Sequence, residues 1–379
     1  MGASTAQGRV LVTGGAGFIG SHLVDRLVEC GYSVRLLDAL LPQVHPDGQP
    51  GYLNRGAEFL RGDVRDPEAV RASLVDVDTV VHLAAAVGVG QSMYEVVNYS
   101  SVNVLGTATL LEGIMNERRR PQRLIVASSM SIYGEGLYAC SACGPQNVGP
   151  RPLGQLERRE WAVQCPVCGK PMEPRATPET KPILPTSVYA LNKRDQEDMI
   201  LLVGRSLGIP AIALRFFNVY GNRQTLSNPY TGVAAIFSSA LLNGRAPLVF
   251  EDGLQARDFI HVSDVVGACM LAIEKPEITE AVFNIGTGRA TNLLELVALL
   301  SREMPADSRK EPEIVGRFRE GDIRACYADV TKARDILGFL PRVTLEKGVK
   351  ELASWVRSQS SMDRSRRALE ELDRHKLIR

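Results

Sequence analysis

The fold is decided by the stretch Arg9-Val10-Leu11-Val12-Thr13-Gly14-Gly15-Ala16-Gly17-Phe18-Ile19-Gly20-Ser21-His22-Leu23-Val24-Asp25-Arg26-Leu27-Val28, which leads on to Ser33-Val34-Arg35-Leu36-Leu37-Asp38. The first apolar run predicts a strand. Ile19, Leu23, Leu27 and Val28 then recur at helical spacing. A second apolar run stops at an acid. With no Cβ at Gly14, Gly17 and Gly20, main-chain amides and a helix N-terminus can approach a pyrophosphate. An acid closing the second strand accepts hydrogen bonds from an adenosine ribose and repels a 2′-phosphate, so Asp38 selects NAD over NADP. The G-x-x-G-x-x-G spacing says little alone. Strand, helix and acid in register with it outweigh the alternative, a structural glycine turn in some other α/β protein.

The rest of the chain follows from this start. Its 379 residues suffice for one large or two ordinary domains, and 45% hydrophobic with 23% charged residues is a globular composition. A net charge of +1 leaves no electrostatic footprint for nucleic acid. No apolar stretch is long enough to span a membrane, and residues 1–9 lack the apolar core of a secretion signal. A cytoplasmic protein with reduced thiols is therefore expected. Its seven cysteines, an odd count, argue against a complete disulfide framework.

Ala57-Glu58-Phe59-Leu60 predicts a third strand, and Gly62-Asp63-Val64 puts an acid where it can meet an adenine amino group or simply shape a surface turn. Pro67 to Leu74 reads as a helix capped by Asp66. Thr79 to Ala86 reads as a buried strand whose end, Leu83-Ala84-Ala85, lets the backbone pass close to the cofactor. His82 receives no role, since a histidine at a strand end is more often packed than ligating. Asn98 to Asn116 predicts one long helix, with Gly106-Thr107 marking close packing, and Arg118-Arg119-Arg120 a solvated helix end. Arg123 to Ala127 is the next strand, and the hydroxyls of Ser128-Ser129 follow at its carboxyl end, where parallel sheets bind ligands.

Residues 135–182 break the pattern. This Pro-, Gly- and Cys-rich insert carries Cys140-x-x-Cys143 and Cys165-x-x-Cys168. Two such knuckles complete a tetrahedral four-sulfur shell, which predicts a structural zinc; free thiols or a redox pair are the alternatives. Cys30, Cys269 and Cys326 have no such spacing and read as core. Beyond the insert, Tyr189 and Lys193 lie four apart on one helix face. A nearby ammonium favours the phenolate and makes tyrosine a usable base. Helices are further expected at Pro229–Leu242 and Val265–Ile273, at Thr291–Leu300 with Thr291 as cap, and at Lys332–Leu337 and Leu345–Val356. Residues 358–379 read as a charged tail, mobile or a solvated helix.

Together these predict an α/β fold, a Rossmann-type doubly wound parallel sheet with a smaller C-terminal substrate lobe. Residues 1–222 form the NAD domain, with 258–285 returning to it. Residues 223–257 and 286–357 form the lobe.

The chain resembles the extended short-chain dehydrogenase/reductase superfamily, and within it the NAD-dependent nucleotide-sugar epimerases and dehydratases. The resemblance rests on the glycine motif, Ser128-Ser129, Tyr189-x-x-x-Lys193, Arg215-Phe216-Phe217-Asn218-Val219-Tyr220-Gly221, Arg257-Asp258-Phe259-Ile260-His261-Val262 and Arg319-Glu320-Gly321-Asp322. It implies that Tyr189 takes a proton from a sugar hydroxyl at C4, that Ser129 bonds the same oxygen, and that Lys193 holds the nicotinamide ribose and tunes Tyr189. Phe18 and Ile19 would join the glycines at the cofactor, and Phe216 would line the nicotinamide. Asn218 and Arg257 would bind the nucleotide diphosphate, with Arg319 and Asp322 toward the nucleotide end. Dehydratases and decarboxylases of the family place acids after the active-site hydroxyl residue, whereas Met130 and Ser131 stand here, which leaves epimerisation through a 4-keto sugar. Zinc-knuckled members point to dTDP-L-rhamnose or a related NDP-hexose as substrate, with UDP-linked hexoses and uronic acids as the other choices. The resemblance also implies a homodimer through helices around 103–116 and 189–203. The competing readings are an NDP-4-keto-sugar reductase, which would want NADPH, and a non-catalytic NAD-sensing scaffold that binds a partner through the zinc module. Asp38 argues against the first and the intact Ser129, Tyr189 and Lys193 against the second.

Overall fold

The computed structural model describes residues 7–379. Seven strands make the central sheet, in the order Glu280–Ile285, Ala211–Phe216, Arg123–Ser129, Thr79–His82, Gln7–Thr13, Tyr32–Asp38, Glu58–Arg61. Every neighbouring pair is parallel. The chain starts in the middle, runs to one edge and returns to build the other, so the direction of winding switches beside Gln7–Thr13. Ligands bind at that point in such sheets. One face carries the helices Phe18–Glu29 and Val262–Glu274 on Leu23, Leu27, Val265 and Ala268. The other carries Pro67–Leu74, Gly106–Asn116 and Val188–Leu207 on Val70, Leu110, Ile114 and Ile200. A leucine as fully buried as Leu23 or Leu27 gains about 2 kcal/mol over exposure, and this holds the helices in place. This is the expected doubly wound Rossmann-type sheet.

Local departures have identifiable causes. The helix expected over 98–116 comprises Val96–Ser100, a π-turn at Ser101–Leu105, and Gly106–Asn116. The wider turn coincides with Asn103 reaching the loop after the fourth strand, where it accepts from Ala86 N at 2.7 Å and donates to Ala86 O at 3.1 Å. The strand expected over 79–86 ends at His82. In the lobe, Tyr230 N bonds Asn228 Oδ1 at 3.0 Å in a turn, so the helix expected from Pro229 starts at Val233. The helix Leu293–Glu303 is capped by Asn292 in a reciprocal pair with Glu295, not by Thr291, which pairs with Arg257 in a short strand. The lobe's core joins Phe237, Leu241, Leu296, Leu300, Val349 and Leu352. Ala333, Leu337 and Phe339 pack instead into the core of the main sheet.

Two further segments pack against this frame, and only the C-terminal one lines the cleft. The insert forms a three-stranded antiparallel sheet, Leu137–Cys140, Gly144–Asn147 and Glu173–Arg175, whose small core of Tyr138, Val148, Val163 and Met172 includes Ala325 of the lobe. Residues 358–379 are anchored rather than mobile. They include the helix Ser365–Arg374, which buries Ala368 and Leu372. Glu371 accepts from Tyr230 at 2.5 Å and Tyr94 at 3.2 Å, and Phe318 and Arg379 exchange main-chain bonds. A two-residue apolar stripe in a helix otherwise rich in charge was the signal for this docking. Among the described residues, no helix is long and apolar enough to cross a membrane.

Candidate functional site

A cleft of about 600 Å³ lies between sheet and lobe, and every residue expected to bind cofactor or substrate lines it. At its sheet end the chain leaves the first strand with Gly14 at φ +70°, a left-handed state that glycine adopts freely. A Cβ on Gly14 would stand 2.8 Å from Ala84 N, so the Leu83-Ala84-Ala85 backbone can pass against the turn only because none is present. Phe18 and Ile19 open the following helix and turn its amide end to the cleft. Asp38 accepts from Ala16 N at 3.0 Å and Leu40 N at 2.9 Å, so its carboxylate is fixed across the glycine turn. Glycine cradle, helix start and fixed acid together fit a dinucleotide. Asp63 and Val64 lie on the same wall, but both oxygens of Asp63 are engaged by Arg65, at 2.6 to 3.0 Å.

Further along, the strand Arg123–Ser129 delivers Ser129, and the helix Val188–Leu207, capped by Ser187, delivers Tyr189 and Lys193. Ser129 Oγ accepts from Ser131 N at 3.2 Å and Ser131 Oγ at 2.9 Å, which leaves its own proton to donate. Burial pushes the Tyr189 phenol up to about 12, against the pull of a hydrogen bond to Ser129. Burial likewise brings Lys193 down to about 7, opposed by Glu197. The phenol expected to be lowered by its lysine is thus raised in the ligand-free cleft, because desolvation penalises both charged forms. Lys193 Nζ donates to Gln196 Oε1 at 2.7 Å.

That bond opens a network the sequence reading missed. Gln196 Nε2 reaches Thr107 Oγ1 at 2.9 Å and His82 Nε2 at 3.1 Å; His82 Nδ1 lies 2.7 Å from Thr13 Oγ1, which accepts from Ala84 N at 3.3 Å. His82 is fully buried and brought down to about 3, first by burial and then by Lys193, so it stays neutral. Gln196, one turn beyond Lys193, was the only local clue.

The lobe end is cationic. Arg319 reaches Asp322 Oδ2 at 2.9 Å, and Arg257 reaches Asp322 Oδ1 at 3.5 Å and Ile323 O at 2.7 Å. Burial works against the charge on Asp322, but Arg319 and Arg257 outweigh it and hold the acid below the usual carboxylate range. Asn218 follows the sixth sheet strand, and its buried Oδ1 has no partner among the described residues, so its amide is available to a ligand. Phe216 is buried on the wall between the two ends.

Away from the cleft, the sulfurs of Cys140, Cys143, Cys165 and Cys168 all lie within 4.8 Å of one another. Zinc–sulfur bonds of about 2.3 Å would draw tetrahedral sulfurs to roughly 3.8 Å, so the cluster can hold a metal with little movement.

Comparison with known proteins agrees with this geometry. The model of the NAD dependent epimerase/dehydratase family matches residues 10–151 and 163–286. The dTDP-L-rhamnose 4-epimerase of Burkholderia thailandensis is 34% identical over 358 residues, covering 93% of this chain and 96% of that one. The crystal structure of UDP-glucose 4-epimerase from Thermotoga maritima with UDP-glucose superposes with a TM-score of 0.75 at 35% identity, covering 92% of this chain and 99% of that one. The UDP-glucose 4-epimerase of Thermus thermophilus, solved with NAD, gives 0.71 at 29% identity, covering 93% of this chain and 100% of that one. With its glycine cradle, its Ser129–Tyr189–Lys193 cluster and these matches along most of its length, the chain belongs to the NAD-dependent epimerase/dehydratase family.

Proposed function

We propose that this protein is a nucleotide-sugar 4-epimerase that works through a transient 4-keto sugar, with dTDP-L-rhamnose or a related NDP-hexose as substrate. The observation that carries the proposal is the meeting of Ser129, Tyr189 and Lys193 in the same cleft as the Gly14–Asp38 cradle. NAD, held by the Gly14–Gly17 turn, Asp38 and Lys193, would supply reversible hydride transfer at the sugar carbon and a positive charge that favours the Tyr189 phenolate. Tyr189 Oη takes the proton of the C4 hydroxyl and later gives it back. Ser129 donates its free proton to the same oxygen and stabilises charge as it develops. Lys193, held by Gln196, binds the nicotinamide ribose. Asp38 takes the adenosine ribose, Asp63 and Val64 flank the adenine, and Phe216 closes the nicotinamide face. Asn218 and Arg257 meet the diphosphate, with Arg319 and Asp322 toward the nucleotide. The guanidinium forks suit phosphate oxygens. Met130 and Ser131 are buried and supply no acid for expelling water, so the keto sugar can only be reduced again.

Three further assignments belong to this reading. Cys140, Cys143, Cys165 and Cys168 hold one structural zinc, since four sulfurs leave no open position for catalysis. The protein forms a homodimer through the helices around 103–116 and 189–203, which expose Leu105, Leu191 and Leu202. It works in the cytoplasm, in keeping with an odd count of seven cysteines, none of them disulfide-bonded among the described residues.

Incubation with a panel of dTDP-, UDP- and GDP-sugars, followed by NMR without added cofactor, tests the activity. Appearance of a C4 epimer from a dTDP-6-deoxyhexose is expected. No interconversion across the panel, or net reduction that consumes nicotinamide, would overturn it.

A further inference from the structure

The insert touches the cleft's cationic end through one side chain. Arg151 is carried between the two cysteine pairs, and its side chain is only 2% exposed. Nη1 donates to Glu251 Oε2 at 2.9 Å and to the Trp161 carbonyl at 3.1 Å. Nη2 donates to Glu251 Oε1 at 2.7 Å and to the main-chain carbonyl of Asp322 at 3.0 Å. The carboxylate of the same Asp322 holds Arg319 and Arg257. Arg151 itself does not line the cleft.

The anchor on the far side is equally constrained. Glu251 is buried at φ +53°, a left-handed state that side chains other than glycine rarely adopt. Arg324 approaches Glu251 Oε2 at 3.0 Å and Asp252 Oδ1 at 2.6 Å, while its own amide donates to Glu135 Oε1 at 2.8 Å. Glu135 opens the insert and lies 3.7 Å from Arg151. The charges in this layer therefore close on one another, and the layer's one bond toward the ligand wall runs from Arg151 to Asp322.

We propose that Arg151 is a positioning residue for nucleotide-diphosphate binding: it fixes Asp322, and through it the two arginines that face the diphosphate, so that the Cys-rich insert sets affinity without touching the ligand. This rests on the reading that Arg257 and Arg319 meet the diphosphate. A lysine in place of Arg151 keeps the charge but cannot reach Glu251 and the Asp322 carbonyl with one planar fork.

The test is calorimetric binding of dTDP and of UDP to the full-length protein, with steady-state kinetics and melting curves alongside. Arg257→Ala is expected to weaken binding of whichever diphosphate the unsubstituted protein takes. Arg151→Lys should weaken it about tenfold and raise KM by the same factor, with kcat within about twofold, as for loss of one charge-assisted bond. Arg151→Met should weaken it further, so that lysine counts as partial rescue. If Arg151→Lys does not fold, Glu251→Gln attacks the same pair from its other side and should also raise Kd. A role in folding alone would lower the melting temperature and the active fraction while Kd and KM stay put, and that result overturns the proposal, as does an unchanged Kd beside a weakened Arg257→Ala. Failure of the unsubstituted protein to bind either diphosphate, or an Arg257→Ala variant that binds as well as it does, overturns the reading of the site itself.

Discussion

The two ends of the cleft are built on different principles. At the catalytic end, Tyr189 and Lys193 share one helix turn, and their supports, Ser129, Gln196 and His82, come from strand ends and the same helix. At the recognition end, Arg319 pairs with Asp322 three residues on, while Arg257 reaches Asp322 from 65 residues away and Arg151 holds its main-chain carbonyl from 171 residues away. In the first arrangement burial works against charge on both Tyr189 and Lys193, although their supports come from as far as 114 residues away. The second is fully charged, because partners outweigh burial around Asp322. Chemistry here needs groups that change protonation, and a low-dielectric pocket keeps them poised. Holding a diphosphate needs charge that does not change.

The largest effect that would break this contrast lies at Tyr189. Tyr189→Phe is expected to lower kcat by about 10³-fold or more with little change in diphosphate affinity. Retention of activity would remove the assigned base.

Lys193→Met should also inactivate the enzyme, yet stabilise it. In the unfolded chain this lysine keeps its proton to its ordinary pKa of 10.5, whereas in the fold it releases it near 7. Between those values the unfolded chain binds more protons, so the lysine's contribution to stability rises with pH, and below 7 the whole cost of burying the ammonium applies. NAD-free Lys193→Met should therefore be more stable than the parent at pH 7, by on the order of 2 kcal/mol, with a margin that shrinks toward pH 10. Denaturant melts at the two pH values check the sign; a margin that grows with pH would contradict the burial argument.

Metal removal sharpens the other end. The proposed site predicts one zinc per chain by elemental analysis, and Cys140→Ser together with Cys165→Ser should abolish it and lower the melting temperature. Bound dTDP should weaken more than kcat falls.

A smaller effect is expected where the C-terminal helix closes the cleft. Leu372 packs on Gly90, and Leu372→Asp should lift the helix and raise KM several-fold at nearly constant kcat, for loss of a buried leucine. Smallest of all, Asn292→Ala removes the cap of Leu293–Glu303 at a side chain that does not line the cleft, and should cost about 1 kcal/mol of stability with kinetics nearly unchanged.

Most of the sheet and the catalytic end were legible in the chain itself. The Asp66 cap, the strand Arg123–Ser129 and the helix bearing Tyr189 all depend on neighbours within a few residues. The π-turn at Ser101–Leu105 was not legible, because its partner is Ala86. Thr291 looked like a cap because hydroxyl residues favour that position, but pairing with Arg257 drew it into a strand and passed the role to Asn292. The docking of residues 358–379 was hidden by their charge, since Ala368, Leu372 and Ile378 are the few apolar side chains that they bury.

By itself the sequence determined the glycine cradle, the strand–helix alternation, the phenol–lysine pair and the matched cysteine pairs, because each is written in the spacing of residues close together in the chain. Only the tertiary structure decided that Arg151 reaches Asp322, that burial rather than a neighbouring charge governs Tyr189, and that a charged C-terminal segment roofs the cleft. Those outcomes depend on which distant side chains exclude water together, and short-range spacing carries no record of that.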